Sequence, residues 1–144
     1  MRSLNTNPTQ HHVIIMSAER GRFSHDENFQ RTNNLQKRLE AMRLIGDVAG
    51  FARAVGVWRG QQEESFVVLY DPIRHPMAAA QLVQIARGYE QDSILMADAD
   101  RNAMILPICD PDCGGSIGKL RQAYPGEPLP DGYTVLKGVV YVCK

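Results

Sequence analysis

Two adjacent carboxylates, Glu63 and Glu64, stand at the start of the apolar run SFVVLY, with Trp58 and Arg59 just upstream. Paired acids at such a place either sit in water as turn residues or grip a cation. Alternation along a strand separates the two. With the strand starting at Glu64, that residue shares a face with Phe66 and Val68, and Glu63 faces the other way. A carboxylate on a face that packs is costly unless it is paired or used. A second polar group, Tyr89-Glu90-Gln91-Asp92, falls between a helical pattern and a strand pattern. Such junctions form ligand sites, and they also form plain helix caps followed by turns.

Other chemistry-bearing groups are weaker. Cys109 and Cys113 could join His11 or His12 around a metal, but the spacing is loose and no fourth ligand is evident. Reduced thiols are the simpler reading, and no metal is expected. The stretch CGGSIGK holds Gly114, Gly115, Gly118 and Lys119, yet neither Ser nor Thr follows the lysine and the spacing is not that of a phosphate loop. Nothing in the order of Ser17, Ser65 and His75 brings them together as a hydrolytic triad.

The bulk numbers set the frame for these residues. The 144 residues suit one domain with one sizeable core, and 16 basic residues balance 16 acidic ones. That balance advertises no polyanion partner, so nucleic acid is not expected. Residues 51–100 are the acidic part, which suits a cationic small ligand and solubility equally. No apolar run reaches the ~20 residues that span a bilayer, and no membrane partner is expected. The polar start carries no signal-peptide core, so a cytoplasmic setting is expected. Residues 1–11 read as a flexible leader and 12–144 as a single domain with an irregular Gly/Pro-rich C-terminal part.

The elements that must position the acids follow in order. Val13 to Met16 is a β-rich apolar run and reads as a buried first strand. Ser24 and Glu27 match a capping box, and Leu35, Leu39 and Met42 give the helix after it one core-facing stripe. Residues 47–58 are ambiguous and read as a loop entering a strand that ends near Trp58. RGQQEE reads as a turn, and SFVVLY as a central strand completing a hairpin. MAAAQLVQIARGY reads as a second helix ending near Gly88. DSILMAD and AMILPI read as strands, the latter with Pro107 marking an edge or an ending. YTVLKGVVYVC closes with two short β runs. Two helices with one wet face each can cover only one side of a sheet. The expectation is an α/β two-layer sandwich, a mainly antiparallel sheet with both helices on one face. Its other face would need cover, which a partner subunit could supply.

The chain also resembles a known family. VIIMSAERGRFSHDEN is similar to the first strand and polar loop of the small bacteriophage enzymes that destroy S-adenosylmethionine, long called hydrolases and later reinterpreted as lyases. RTNNLQKRLEAM resembles their first helix, and WR with EESFVVLY their aromatic-Arg and Glu-Glu elements. AAAQLVQIARGYEQDSILMAD is the clearest block, and YPGEPLPDGYTVLKGVVYV resembles the closing strands. The resemblance covers residues 13–143. It implies an α/β sandwich, homotrimers with sites between subunits, and no cofactor. It places the catalytic glutamate at Glu64 and a partner aromatic at Trp58, where the better understood member has a tyrosine. An indole can stack on adenine or a sulfonium but offers no phenolic hydroxyl. Substrate-binding positions fall on Ser17, Ala18, Glu19, Glu90, Gln91 and Asp92. The implied activity is cleavage of S-adenosylmethionine to 5′-methylthioadenosine and homoserine lactone, depleting the methyl donor of an infected bacterial host and blunting its restriction. A hydrolase giving homoserine directly and a non-catalytic nucleoside- or protein-binding phage protein are the alternatives.

Overall fold

The computed structural model describes residues 11–144; of the expected leader, residues 1–10 lie outside the described part. The elements are β1 (His12–Ser17), α1 (His25–Leu44), β2 (Gly50–Trp58), β3 (Gln61–Tyr70), α2 (Ala78–Gly88), β4 (Ser93–Ala97), β5 (Asn102–Pro107), β6 (Gly115–Gln122), β7 (Gly132–Leu136) and β8 (Val139–Cys143).

Helix α1 starts where its sequence says it should. The Ser24 side chain accepts from the Glu27 N–H, and the Ser24 N–H donates back to Glu27. Its buried residues Thr32, Leu35, Leu39 and Met42 recur at three and four, one stripe of a helix. From Phe66 to Tyr70 strand β3 is entirely apolar because both of its faces are buried there. Phe66, Val68 and Tyr70 pack with Leu35, Leu39, Leu82 and Ile85 of the helices. Val67 and Leu69 face the other way and pack with Val13, Ile15, Leu120, Leu136 and Tyr141.

The second group is the interior of a barrel, and it overturns the expected two-layer sandwich. All neighbouring strands are antiparallel, in the order β1-β3-β2-β7-β8-β6-β5-β4, and β4 returns to β1 through Val13↔Ala97, Ile14↔Met96 and Ile15↔Leu95. The sheet therefore covers its own inner face by closing on itself, and that face does not call for a partner subunit. The strand that sequence reading missed, β6, is the one that closes the ring, pairing with β5 and β8. Its glycines hide it from a propensity reading. Gly118 sits at φ +93, and a Cβ there would lie 2.3 Å from the Lys144 carbonyl carbon, so glycine is what lets the last strand's end approach. Pro107 marks an ending and no edge: β5 pairs on both sides, and Pro107 itself faces Ser93.

The hairpin turn is also shorter than RGQQEE. Arg59 (φ 50) and Gly60 (φ 81) alone make it, both left-handed as a two-residue type I′ turn requires. Gln61 to Glu64 are consequently strand, paired with β2 through Gly56↔Glu63 and Val55↔Glu64. Strand β1 stops at Ser17↔Ser65. Among the described residues, the β1 side of β3 has no strand neighbour beyond that rung.

The irregular loop between β6 and β7 is pinned by Glu127. Its carboxylate accepts from both ends of the Arg121 guanidinium (2.8 and 3.1 Å), from the Tyr124 N–H and from Lys144 Nζ at 3.2 Å. Those donors pull the carboxyl down from its ordinary 4.5 to about 2, the Arg121 hydrogen bonds first among the causes. A depressed carboxyl stabilises the fold above its unfolded pKa and loses that contribution as pH falls toward the folded one. Glu127→Gln is therefore expected to melt at a lower temperature than the parent at pH 7. Melting curves taken downward from pH 4.5 should converge; a constant gap across that range would show that the charge is not what holds the loop.

Candidate active site

Three segments meet at the end of β1. The Ser17 hydroxyl donates to the Glu64 carbonyl at 2.7 Å and accepts from the Glu19 N–H at 3.0 Å. The Glu19 carboxylate accepts from the Glu64 N–H at 2.5 Å, so it occupies the ladder position that β1 leaves open. Gln91 Nε2 donates to the Glu19 carbonyl at 3.0 Å, joining the α2–β4 junction to the same point. Ala18, with no exposed surface, gives its carbonyl to Arg31 Nε at 2.7 Å. Arg31 Nη2 also donates to the Tyr89 carbonyl at 2.5 Å, while its guanidinium lies over the rings of Phe23 (4.4 Å) and Tyr89 (5.3 Å). Arg20 donates to the Glu90 carbonyl and pairs with Asp92 at 3.3 Å, and Arg22 pairs with Glu90 at 2.5 Å. Ser17, Ala18, Glu19, Glu64, Glu90, Gln91 and Asp92 are thus one connected constellation.

The junction is shaped by the way α2 ends. The Gln91 N–H reaches the Ala86 carbonyl and the Glu90 N–H the Arg87 carbonyl, the paired bonds of a Schellman cap. The left-handed residue of that cap is Glu90, at φ 58, where glycine is usual. A side-chain-bearing residue there costs about 1 kcal/mol. The cap turns the buried Gln91 amide inward and leaves the Glu90 and Asp92 carboxylates outside.

Glu64 lies on the helix-bearing outer face, in register with Phe66 and Val68, and is exposed. Glu63 lies on the opposite face, with Ser65 and Val67, at the barrel mouth. By surface area Glu63 still meets solvent, but its carboxyl sits among enough barrel atoms to lose hydration. That burial, and then the negative charge of Glu19, push it up to about 7. Among the described residues, neither Glu63 nor Glu64 has an ion-pair partner.

Trp58 is not part of this constellation. Val55 is the rung partner of Glu64, so Trp58 is three residues further along β2, about 10 Å at the strand rise, and leaves the opposite face. Its ring lies against Gly132, where a Cβ would come 2.9 Å from the indole, and Arg59 stacks on it at 4.9 Å. Its side chain is exposed at the hairpin tip.

Arg31, Arg20 and Arg22 were missed in the sequence. Arg31 had a signal: it stands one turn before Leu35, at the head of the buried stripe, where a cation needs a task. Arg20 and Arg22 had none, because their partners come from the α2–β4 junction. Among the described residues one surface groove lies between α1 and α2, lined by Arg38, Met42, Met77 and Ile85, and another lies beside Phe23 and Arg31. Among the described residues no group of His, Cys, Asp and Glu is arranged to hold a metal, and the three cysteines are free thiols. Cys109 is used through its backbone, which donates to the Gln91 carbonyl at 3.2 Å.

A filled antiparallel barrel with an unneutralised acidic edge is a scaffold for holding a cation. The comparison with protein families defines it further: a model of the S-adenosylmethionine lyase family matches residues 14–144, and the chain belongs to that family. It is an S-adenosylmethionine-cleaving enzyme of the lyase type. No curated protein matches the chain.

Proposed function

We propose that the enzyme cleaves S-adenosylmethionine to 5′-methylthioadenosine and homoserine lactone, by attack of the substrate's own carboxylate on its Cγ. The Cγ–S bond electrons leave with sulfur, and the sulfonium becomes a neutral thioether. The nucleophile is already ionised at neutral pH, so no general base is needed. The substrate carries both nucleophile and leaving group, and the reaction as written uses no cofactor. The protein's task is to fold the methionine tail into the reactive conformation.

The observation that carries this reading is Glu64, a carboxylate without an ion-pair partner among the described residues, beside a hydrogen-bonded frame of Ser17, Glu19 and Gln91. Glu64 grips the α-ammonium. That charge persists through the transition state, whereas a carboxylate on the sulfonium would favour the ground state, whose charge disappears. Gln91 and the backbone at Ala18 and Glu19 hold the amino-acid end, with Glu90 and Asp92 at the rim.

Trp58 leaves the other face of its own ribbon, so it covers adenine or sulfonium from a neighbouring copy. Assembly as a homotrimer with sites between subunits supplies that wall. The setting is the cytoplasm of an infected bacterial host, where loss of the methyl donor blunts restriction; neither nucleic acid nor membrane is a partner. Incubation with S-adenosylmethionine, with products separated within the first turnovers, is expected to give methylthioadenosine and the lactone in equal amounts. Absence of both would overturn the reading and favour a binding protein.

A further inference from the structure

The edge of β3 beyond Ser17↔Ser65 brings together three acids from different directions. Glu19 lies in the edge itself, bonded to the Glu64 N–H. Glu64 leaves one face and Glu63 the other. A ligand seated at that edge straddles it and meets both faces. The substrate class established for the family supplies two positive groups, the α-ammonium and the sulfonium. Given the assignment of Glu64 to the ammonium in the preceding section, on which this inference rests, one positive group remains; of the other two acids Glu19 is held by the Glu64 N–H, which leaves Glu63.

We propose that Glu63 determines specificity for the sulfonium charge: it is ionised while the cationic substrate is bound and takes a proton from solvent once the thioether is neutral. The surroundings of Glu63 leave it this role. From the β1 exit it faces Glu19, like-charged and already engaged. Along β3 its charged neighbour is Glu64, on the other face. Across the rung β2 presents Gly56, whose missing side chain leaves the Glu63 stem uncovered; a Cβ there would touch Glu63 Cγ at 3.7 Å. The cation of the hairpin, Arg59, is turned to the indole and to Asp131 at 3.6 Å. A carboxyl buried at the barrel mouth beside an acid, with no basic partner among the described residues, favours its protonated form until a cation arrives.

This placement answers a difficulty of sulfonium chemistry. A permanently charged carboxylate beside sulfur would resist losing its partner's charge. An acid that titrates near neutrality binds the cation and then stops opposing the neutral product, because reprotonation removes the orphaned charge. Substrate binding and product release become linked to one proton.

The test compares the parent with Glu63→Gln across pH 6 to 8. With ionised Glu63 as the binding form and a pKa of about 7, the parent's KM for S-adenosylmethionine is expected to rise roughly tenfold from pH 8 to pH 6. Binding of neutral methylthioadenosine, measured by calorimetry, should not weaken over that range. In Glu63→Gln the rise in KM should vanish, and Glu63→Asp should restore it. Titration of the substrate's own amine is common to all three proteins and cancels. Stability gives a readout apart from activity. A carboxyl raised above its unfolded pKa makes the fold less stable as pH climbs from 4.5 to about 7. Glu63→Gln should remove that decline. A tenfold KM slope persisting in Glu63→Gln, or product binding that weakens as substrate binding does, overturns the proposal. Failure of the parent to form methylthioadenosine at all would instead strike the proposed function.

Discussion

Glu64→Gln is expected to fold as the parent does and to lose at least ~100-fold in kcat/KM. That loss is about 2.7 kcal/mol of transition-state stabilisation, within the range of removing one charged hydrogen-bonding partner. The fold should survive because Glu64 serves it through its backbone: the N–H to Glu19 and the carbonyl to the Ser17 hydroxyl, both kept in the variant. Its exposed side chain has no ion pair to break among the described residues. Part of the loss should fall on kcat, since an ammonium left unanchored frees the methionine tail and fewer bound molecules have the carboxylate behind Cγ. Melting curves and steady-state kinetics on the same preparation check both halves. Near-parental kcat/KM would remove Glu64 from the site.

Arg31→Ala is expected to cost about 2–4 kcal/mol of stability and most of the activity. Its guanidinium bridges the carbonyls of Ala18, just past the end of β1, and Tyr89, at the end of α2. Each charge-assisted bond is worth about 1.5–3 kcal/mol, reduced here because the side chain is half-buried, and the stacking on Phe23 and Tyr89 adds to it. Without the bridge the Ala18–Glu19 turn and the Gln91 junction are held by the Gln91–Glu19 bond and the more exposed Arg20 and Arg22 contacts. Arg31→Lys should rescue little, because a point charge cannot hold two carbonyls in one plane. Urea unfolding measures the first effect and turnover the second. A variant with parental stability would mean that the Gln91–Glu19 bond and the Arg20 and Arg22 contacts hold the segments together without Arg31.

What the sequence disclosed about these residues follows the range of the forces involved. The α1 capping box is a contact between neighbours in the chain, and it is present as read. The β3 run is apolar on both faces because helices lie over one and the barrel interior under the other, and continuous apolarity is the sequence signature of that condition. Closure was not legible. It depends on β4 meeting β1 and on β6, whose Gly115 and Gly118 carry no strand signal, Gly118 making room for the close approach of Lys144. With β6 unseen, an open sheet and a second layer were the natural expectation. At the site, the alternation that separates Glu63 from Glu64 could be read residue by residue. The upward shift of Glu63 could not, since it depends on burial at the barrel mouth and then on Glu19 from the loop after β1. The resemblance pairs Trp58 with Glu64, whereas within one chain the two leave opposite faces of the β2–β3 ribbon.

The central claim is that the substrate reacts with itself, inside a frame that bends it. Turnover in water enriched in oxygen-18, quenched before spontaneous ring opening, tests it most directly. The account predicts lactone as the first product, with no heavy oxygen in it. Homoserine that already carries heavy oxygen at the earliest time, formed without passing through lactone, would contradict it and make the enzyme a hydrolase.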